Sequence, residues 1–270
     1  MTVLFVGVGA DSTNTGPHPP VHPDGTFEYV PIPEVEPRSA EVRTYGSERL
    51  RYAPGSMASF VEWISPGADG HRIDDRNAIA VHPLHYDPDF SALTYGESGS
   101  RPDYVAKLMA LEHGDILAFY AGLDDGSSIH RYVIGYFTVA RVVNTKGETN
   151  EDRRKLFANH PENAHTKRFF GPGASQADEI ALVDGREPGG LLARVGPQLS
   201  VYRSFDGNAR SQYYLDDAFA RQFRIDDPTF THDPDASHKD AKTYLGIKPA
   251  LVADLDAREF LNRVGPATPR

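Results

Sequence analysis

Three short stretches hold the residues whose types and spacing could do chemistry. In "HPLHYDPDF", His82, His85, Asp87 and Asp89 fall within eight residues. Imidazole nitrogens and carboxylate oxygens at such spacing can hold a divalent metal, which could activate water for phosphoester attack. Pro83 and Pro88 stiffen the segment, however, and a strand turns successive side chains to opposite faces, so the four groups need not converge. Asp87 and Asp89, one alternation apart, are the pair expected on one face. They can serve as polar ligands without a metal, and no cofactor is required.

The second stretch, "ENAHTKRFFGPG", sets Asn163, His165, Lys167 and Arg168 beside Phe169 and Phe170. Cations pair with phosphates, aromatic faces stack on unpaired bases, and Asn163 and His165 can bond a base edge. The opposing reading is a solvated loop that Phe169 or Phe170 anchors to the core.

The third, Gly7-Val8-Gly9-Ala10-Asp11-Ser12, begins like a dinucleotide fingerprint and then departs from it. A third glycine and a Walker lysine are missing. Pro17, Pro19, Pro20 and Pro23 follow where a phosphate-binding helix would have to start. The phosphate-loop reading is therefore rejected. What remains is a strand feeding an extended loop with Asp11, Ser12, Thr13 and Asn14 at its mouth. These side chains either face a ligand, as loop residues on a rigid strand commonly do, or bond their own turn. Tyr95, Arg101 and the pair Tyr213-Tyr214 are further candidates for a pocket wall, with one of the two tyrosines expected in the core. Trp63 is also expected there, and Arg153, Arg154 and Lys155 on a solvated helix face.

The elements that must position these groups are strands more often than helices. Val-, Ile-, Phe- and Tyr-rich runs predict strands at "TVLFVGV", "TFEYVPI", "NAIAVHP", "DILAFYAG", "RYVIGYFTVARVV", "EIALVDG" and "LSVYRSF". Helical spacing marks "PDYVAKLMALEH", an Asn-capped "NEDRRKLFAN", a short "PGGLLARVG" and "DLDAREFLNRVG". The two kinds do not alternate regularly. The expected fold is α+β, a curved mixed or barrel-like β-sheet with a few peripheral helices. Residues 1–225 form the main domain, and 226–270 a C-terminal extension whose terminal helix packs on it. Within that extension, 226–246 is acidic and turn-rich.

Composition bounds the function. A net charge of −10 argues against sequence-independent coating of nucleic acid, which needs a broad basic surface. With zero cysteines there are no disulfides, thiolate zinc sites or cysteine nucleophiles. No apolar run reaches membrane-spanning length, and the first Lys or Arg is Arg38, so no secretory leader is expected and the location is cytoplasmic. Gly-x-Ser-x-Gly, His-Glu-x-x-His and Pro-Cys-x-x-Cys signatures do not occur.

Several segments in order resemble the nucleotide-modification-associated domain family, third type, found beside DNA-modification genes of phages and prokaryotes. They are the first strand with its Asp11-Ser12 loop, "PDGTFEYVPIPE", "HYDPDF", "LEHGDILAFYAGL", "YVIGYFTV", "NAH" and "YYLDDAF", spread over about the first 225 residues. The resemblance implies a role in making, handling or recognising modified DNA bases. DNA or a modified nucleotide, and other DNA-modification proteins, are the implied partners. Residues 111–143 are also loosely similar to PUA-like barrels, which include the ASCH and EVE domains; there Gly114-Asp115 would turn the chain into one strand and Gly135 would allow close packing in the next.

The expectation that follows is a nucleotide-sized pocket, with Asp11, Ser12 and Asn14 on one side. Asp87, Asp89 and the segment bearing Asn163, His165, Lys167 and Arg168 form the other. Its task is to recognise or process a modified base; the alternative is a metal-dependent hydrolase or nuclease using His82, His85, Asp87 and Asp89.

Overall fold

The computed structural model describes residues 1–35, 39–66, 71–171, 179–203, 212–225, 245 and 250–267. Apart from Leu245, the acidic stretch from 226 to 246 lies outside the described residues.

Strand β1 (Thr2–Gly7) opens the chain, and the two-residue β2 (Ile32–Pro33) follows a long loop. Helices α1 (Met57–Phe60) and α2 (Arg76–Val81) precede β3 (Leu84–His85), β4 (Thr94–Ser98) and α3 (Pro102–Met109). The long strands β5 (Ile116–Asp124) and β6 (Ile129–Asn144) come next, then α4 (Asn150–Phe157), α5 (Ala164–Phe170) and β7 (Ile180–Leu191). The hairpin β8 (Ser200–Arg203) and β9 (Gln212–Leu215), α6 (Asp217–Gln222), β10 (Leu251–Asp254) and α7 (Ala257–Val264) complete the described elements.

Six strands form one curled sheet in the order β10-β1-β5-β6-β7-β4. Only β1 with β5 is parallel; the other neighbours are antiparallel, so the sheet is mixed and the fold α+β. Register shifts at Phe119/Tyr120, Phe137/Thr138 and Val139/Arg141 bend the long strands, as bulges do. The apolar runs of β1 and β5 are buried along nearly their whole length because both faces of the sheet are covered. On one face Phe5 packs edge-on against Phe219 and Phe223, with centroids 5.6 and 5.5 Å away. On the other, Phe119 meets Phe90 and Phe137 at 5.3 and 5.1 Å. Burying a Phe contributes roughly 1.5–3 kcal/mol, so these clusters hold the sheet between its two covers.

Two expected elements change type. "NAIAVHP" is the helix α2: Asp75 caps it by accepting the Asn77 N–H at 2.9 Å, and Val81, which a core strand would bury, is 69% exposed. "PGGLLARVG" is not a helix; its first residues finish β7, where Gly189, Gly190 and Leu191 pair with Phe137, Tyr136 and Gly135. The pairing to β6 outweighs a weak local helical pattern. Of "TFEYVPI", Phe27 forms only an isolated bridge and Ile32 begins the two-residue β2. The cap of α4 is Thr149 rather than Asn150. Trp63 is half-buried under the Arg72 guanidinium, 3.9 Å from its ring centroid, rather than in the core. Arg153 turns inward and is 6% exposed, while Lys155 pairs with Glu151 at the surface.

Gly114 turns the chain into β5 with φ +95, and Asp115 holds that turn by accepting the Glu112 and Thr2 N–H groups, each at 2.8 Å. At Gly135 a side chain would press on Phe90 and lie 2.8 Å from the Gly190 carbonyl. Gly135→Ala is therefore expected to destabilise the fold by about 1–3 kcal/mol, the usual range for overpacking, read as a lower urea midpoint with an unchanged slope.

Candidate functional site

Beyond Gly7 the chain leaves the sheet. Gly9 takes a positive φ of +75, and a Cβ there would stand 3.2 Å from the Tyr29 ring, so glycine suits the turn. Residues 11–15 then close on themselves. The Asn14 and Thr15 N–H groups bond the Asp11 carbonyl, the Asp11 carboxylate accepts the Thr13 N–H at 2.8 Å, and the Asp11 N–H donates to Asn14 Oδ1 at 2.8 Å. No helix starts here, in keeping with rejection of the phosphate loop.

The exit of β1 forms one side of a cleft of about 290 Å³. The other sides come from His85 on β3, Asp87, Tyr95 to Ser98 of β4, Arg101, and His165 and Arg168 of α5. Helix α5 is set in place by Asn163, which is fully buried. Its Oδ1 accepts the His165 and Thr166 N–H groups at 2.9 and 3.3 Å, and its Nδ2 donates to Thr94 Oγ1 at 3.2 Å. Gly96 lets the helix come close: a Cβ there would lie 2.6 Å from His165 Cδ2.

Inside the cleft Asp87 Oδ1 accepts the Gly96 N–H at 3.0 Å. Its Oδ2 sits 3.2 Å from His165 Nε2 and 4.0 Å from His85 Nε2. The two imidazoles meet edge to face with centroids 5.0 Å apart. Behind His85, Glu34 Oε2 is 2.9 Å from Nδ1, and Glu34 Oε1 accepts Arg168 Nε–H at 2.6 Å. Burial works to raise the Glu34 carboxyl, but the His85 hydrogen bond and the charges of His85 and Arg168 outweigh it and hold the group at about 2. Burial and the Arg168 charge push His85 below its ordinary value. Farther along the wall, Tyr95 donates to Glu97 Oε2 at 2.9 Å and Arg101 does so at 3.1 Å. Burial raises the Glu97 carboxyl above its ordinary value, against the pull of Arg101. The Arg101 guanidinium also lies over the Tyr104 ring, 3.5 Å from its centroid.

The structure thus brings Asn14, His85, Asp87, His165 and Arg168 to one cleft, with Tyr95 and Arg101. Other expected site residues are occupied elsewhere. Asp11 organises its own turn and Ser12 is exposed beside it. Asn163 is consumed in capping α5 and tying it to β4. Lys167 bridges Glu41 and Glu162 at 3.0 and 3.1 Å, outside the cleft lining. Asp89 does not join Asp87 in the cleft lining. β3 ends at His85, so strand alternation does not extend to them; Asp89 caps the next turn through the Ser91 and Ala92 N–H groups and pairs with Arg43 at 3.2 Å. His82 turns its Nε2 to the Glu34 carbonyl at 2.7 Å. The four-residue metal set therefore does not assemble as expected: His85 and Asp87 face the cleft with His165 instead of His82 and Asp89. Phe169 is buried against Phe157, with centroids 4.8 Å apart, so it anchors the segment, while Phe170 is 40% exposed.

Glu34 and Glu97 escaped sequence reasoning. Glu97 lies on β4, which no apolar run marks, so its alternation with Tyr95 emerges only in the structure. Glu34 directly follows β2 and reaches His85 across the β2–β3 ladder, a pairing that joins segments about 50 residues apart and that no local pattern shows.

Tyr86, between His85 and Asp87, looks the other way into a second cleft of about 420 Å³ lined by Tyr29, Phe90, Met57 and Arg51 among others. The Tyr29 hydroxyl bonds the Asp87 carbonyl at 3.3 Å, so this short segment is a partition between a polar and a more aromatic chamber.

A family model described as nucleotide modification associated domain 3 matches residues 2–252. No curated protein and no solved structure matches the chain.

Two outcomes are expected. Asn163→Ala removes a helix cap and leaves Thr94 without its amide partner, lowering stability by about 1–3 kcal/mol in urea titration. Burial works to raise Glu41, but Arg43 and Lys167 outweigh it and hold the carboxyl at about 2, against 4.5 for the ordinary group. Its contribution is thus present above pH 4.5 and lost as the pH falls toward about 2. Melting temperatures recorded across that window should fall less steeply for Glu41→Gln than for the native chain.

Proposed function

Because the chain belongs to the nucleotide modification associated domain 3 family, we propose that the cleft beside β1 binds a modified nucleotide or base and serves a step in its recognition or processing. The observation that carries this reading is the meeting, in one recess, of the β1 exit with the Asp87 segment and α5. The recess mixes groups suited to such a ligand. Asn14 offers an amide, Glu97 a carboxyl whose protonation burial favours, and Arg101 and Arg168 offer cations that reach solvent, their side chains 41% and 29% exposed. Protonated carboxyl and amide groups can both donate to and accept from a base edge, while guanidinium groups pair with phosphate.

Size and charge narrow the ligand. At about 290 Å³ the cleft stands at the small end of ligand sites, enough for a base with its sugar and not for a duplex. A base within DNA would have to be single-stranded or turned out of the helix to enter. A net charge of −10 also opposes a long run of phosphate contacts, so the affinity rests on one nucleotide. Perturbed carboxyl and imidazole groups gathered in one recess favour chemistry over passive recognition.

The test is titration of the full chain with modified and plain mononucleotides and short single strands at several salt concentrations. Tighter binding of a modified form with a shallow salt dependence is expected. Arg101→Gln should weaken all nucleotides alike and reduce the salt slope by about one, whereas Glu97→Gln should change the ratio of modified to plain. Equal affinity for both forms with no salt slope would overturn the proposal.

A further inference from the structure

We infer that His85, Asp87 and His165 form a binding site for one divalent transition-metal ion, open to the cleft. One ligand atom from each of the three residues lies within 4.8 Å of the other two. Asp87 Oδ2 is 3.2 Å from His165 Nε2 and 4.0 Å from His85 Nε2. Ligand atoms bound about 2.0–2.2 Å from a common ion stand roughly 3–4.2 Å apart, a range both Asp87 distances already meet, while the two imidazole nitrogens, within 4.8 Å of each other, would draw together on binding.

Three features distinguish this group from a chance meeting of polar side chains. The donors are delivered separately, by β3, by the segment after it and by the first turn of α5, yet they converge with side chains only 6%, 5% and 10% exposed. Two of the three are aimed by a partner that leaves the converging atom facing the others. Glu34 engages His85 at Nδ1, which directs Nε2 into the cleft, and Arg168 pins Glu34 in turn. A carboxylate on the far nitrogen of a metal-bound histidine is the common outer support of such sites. The Gly96 amide holds Asp87 principally through Oδ1, which turns Oδ2 toward the histidines. The third feature is the contrast with another histidine–carboxylate pair. His160 Nδ1 lies 2.9 Å from Asp184, but Arg141 takes the other Asp184 oxygen at 2.7 Å, so that pair is closed by a cation.

The donor set selects the ion. Two imidazoles and one carboxylate suit zinc, iron, cobalt or manganese, whereas magnesium and calcium prefer an all-oxygen shell. Three protein ligands also leave coordination positions for water or a ligand entering the cleft, the arrangement of reactive rather than structural metal sites. The ion would stand beside whatever the cleft takes, but its binding does not depend on the identity of that ligand.

The experiment is calorimetric titration of the chelator-treated full chain with zinc chloride, and separately with magnesium chloride. Saturable uptake of one zinc per chain is expected, with no saturable uptake of magnesium. Glu34→Gln should weaken zinc about 10- to 100-fold and His165→Gln and Asp87→Asn by more, with unchanged far-UV circular dichroism. Where a variant fails to fold, cobalt added to the native chain decides: intense visible bands that one equivalent of zinc abolishes support the site, and the pale spectrum of hydrated cobalt overturns it. Absence of stoichiometric zinc uptake, or uptake that persists unchanged in folded His165→Gln and Asp87→Asn chains, also overturns it. Nucleotide titrations run in chelator report separately on the proposed function.

Discussion

One buried amide carries much of the architecture. Asn163 caps α5 with its oxygen and reaches Thr94 on β4 with its nitrogen, so helix and strand are tied at a fixed offset. That tie sets where His165 and Arg168 emerge, and glycine at position 96 admits them at close range. Because Asn163 has no exposed surface, water offers no substitute for these bonds. The residue is essential to the cleft without lining it.

The cleft itself is built around charge held in low-dielectric surroundings. Glu34, nearly fully buried, is compensated by His85 and Arg168, while Glu97 relies on Arg101 and the Tyr95 hydroxyl. The two carboxyls move in opposite directions because their compensation differs: the His85 hydrogen bond, the Arg168 charge and the Val35 N–H outweigh burial at Glu34, and one partly exposed arginine with a tyrosine hydroxyl does not at Glu97. An acidic protein thereby presents a small recess of mixed character, with its positive groups at the rim.

Legibility in the sequence followed how local each decision was. The strands β1, β5 and β6 are long apolar runs, and α3 and α7 have clear stops, so pattern alone locates them. The apolar run Ala78–Val81 of α2 is too short to show a helical period and its β-branched residues favour a strand, while its cap, Asp75, is a single polar side chain. At 188–191 Gly189 accommodates Phe137 across the ladder, a fact that belongs to tertiary structure. The candidate site shows the same division. His85, Asp87, His165 and Arg168 stood out by residue type, and the structure places them together. Asn163, Asp89 and His82 stood out as well, yet their polar atoms are spent on backbone and neighbouring groups. Residue type cannot tell a ligand from a brace; only the position of the partner can.

The pairing of β1 with β10 has a consequence for biosynthesis. β1 is synthesised ahead of both its neighbours in the sheet, β5, more than 100 residues later, and β10, about 250 residues later. Until those segments emerge, a strand of almost uninterrupted apolar residues has neither edge covered. One edge of that strand stays uncovered from the emergence of β5 until β10 is made, which makes the nascent chain a natural client for a holding chaperone.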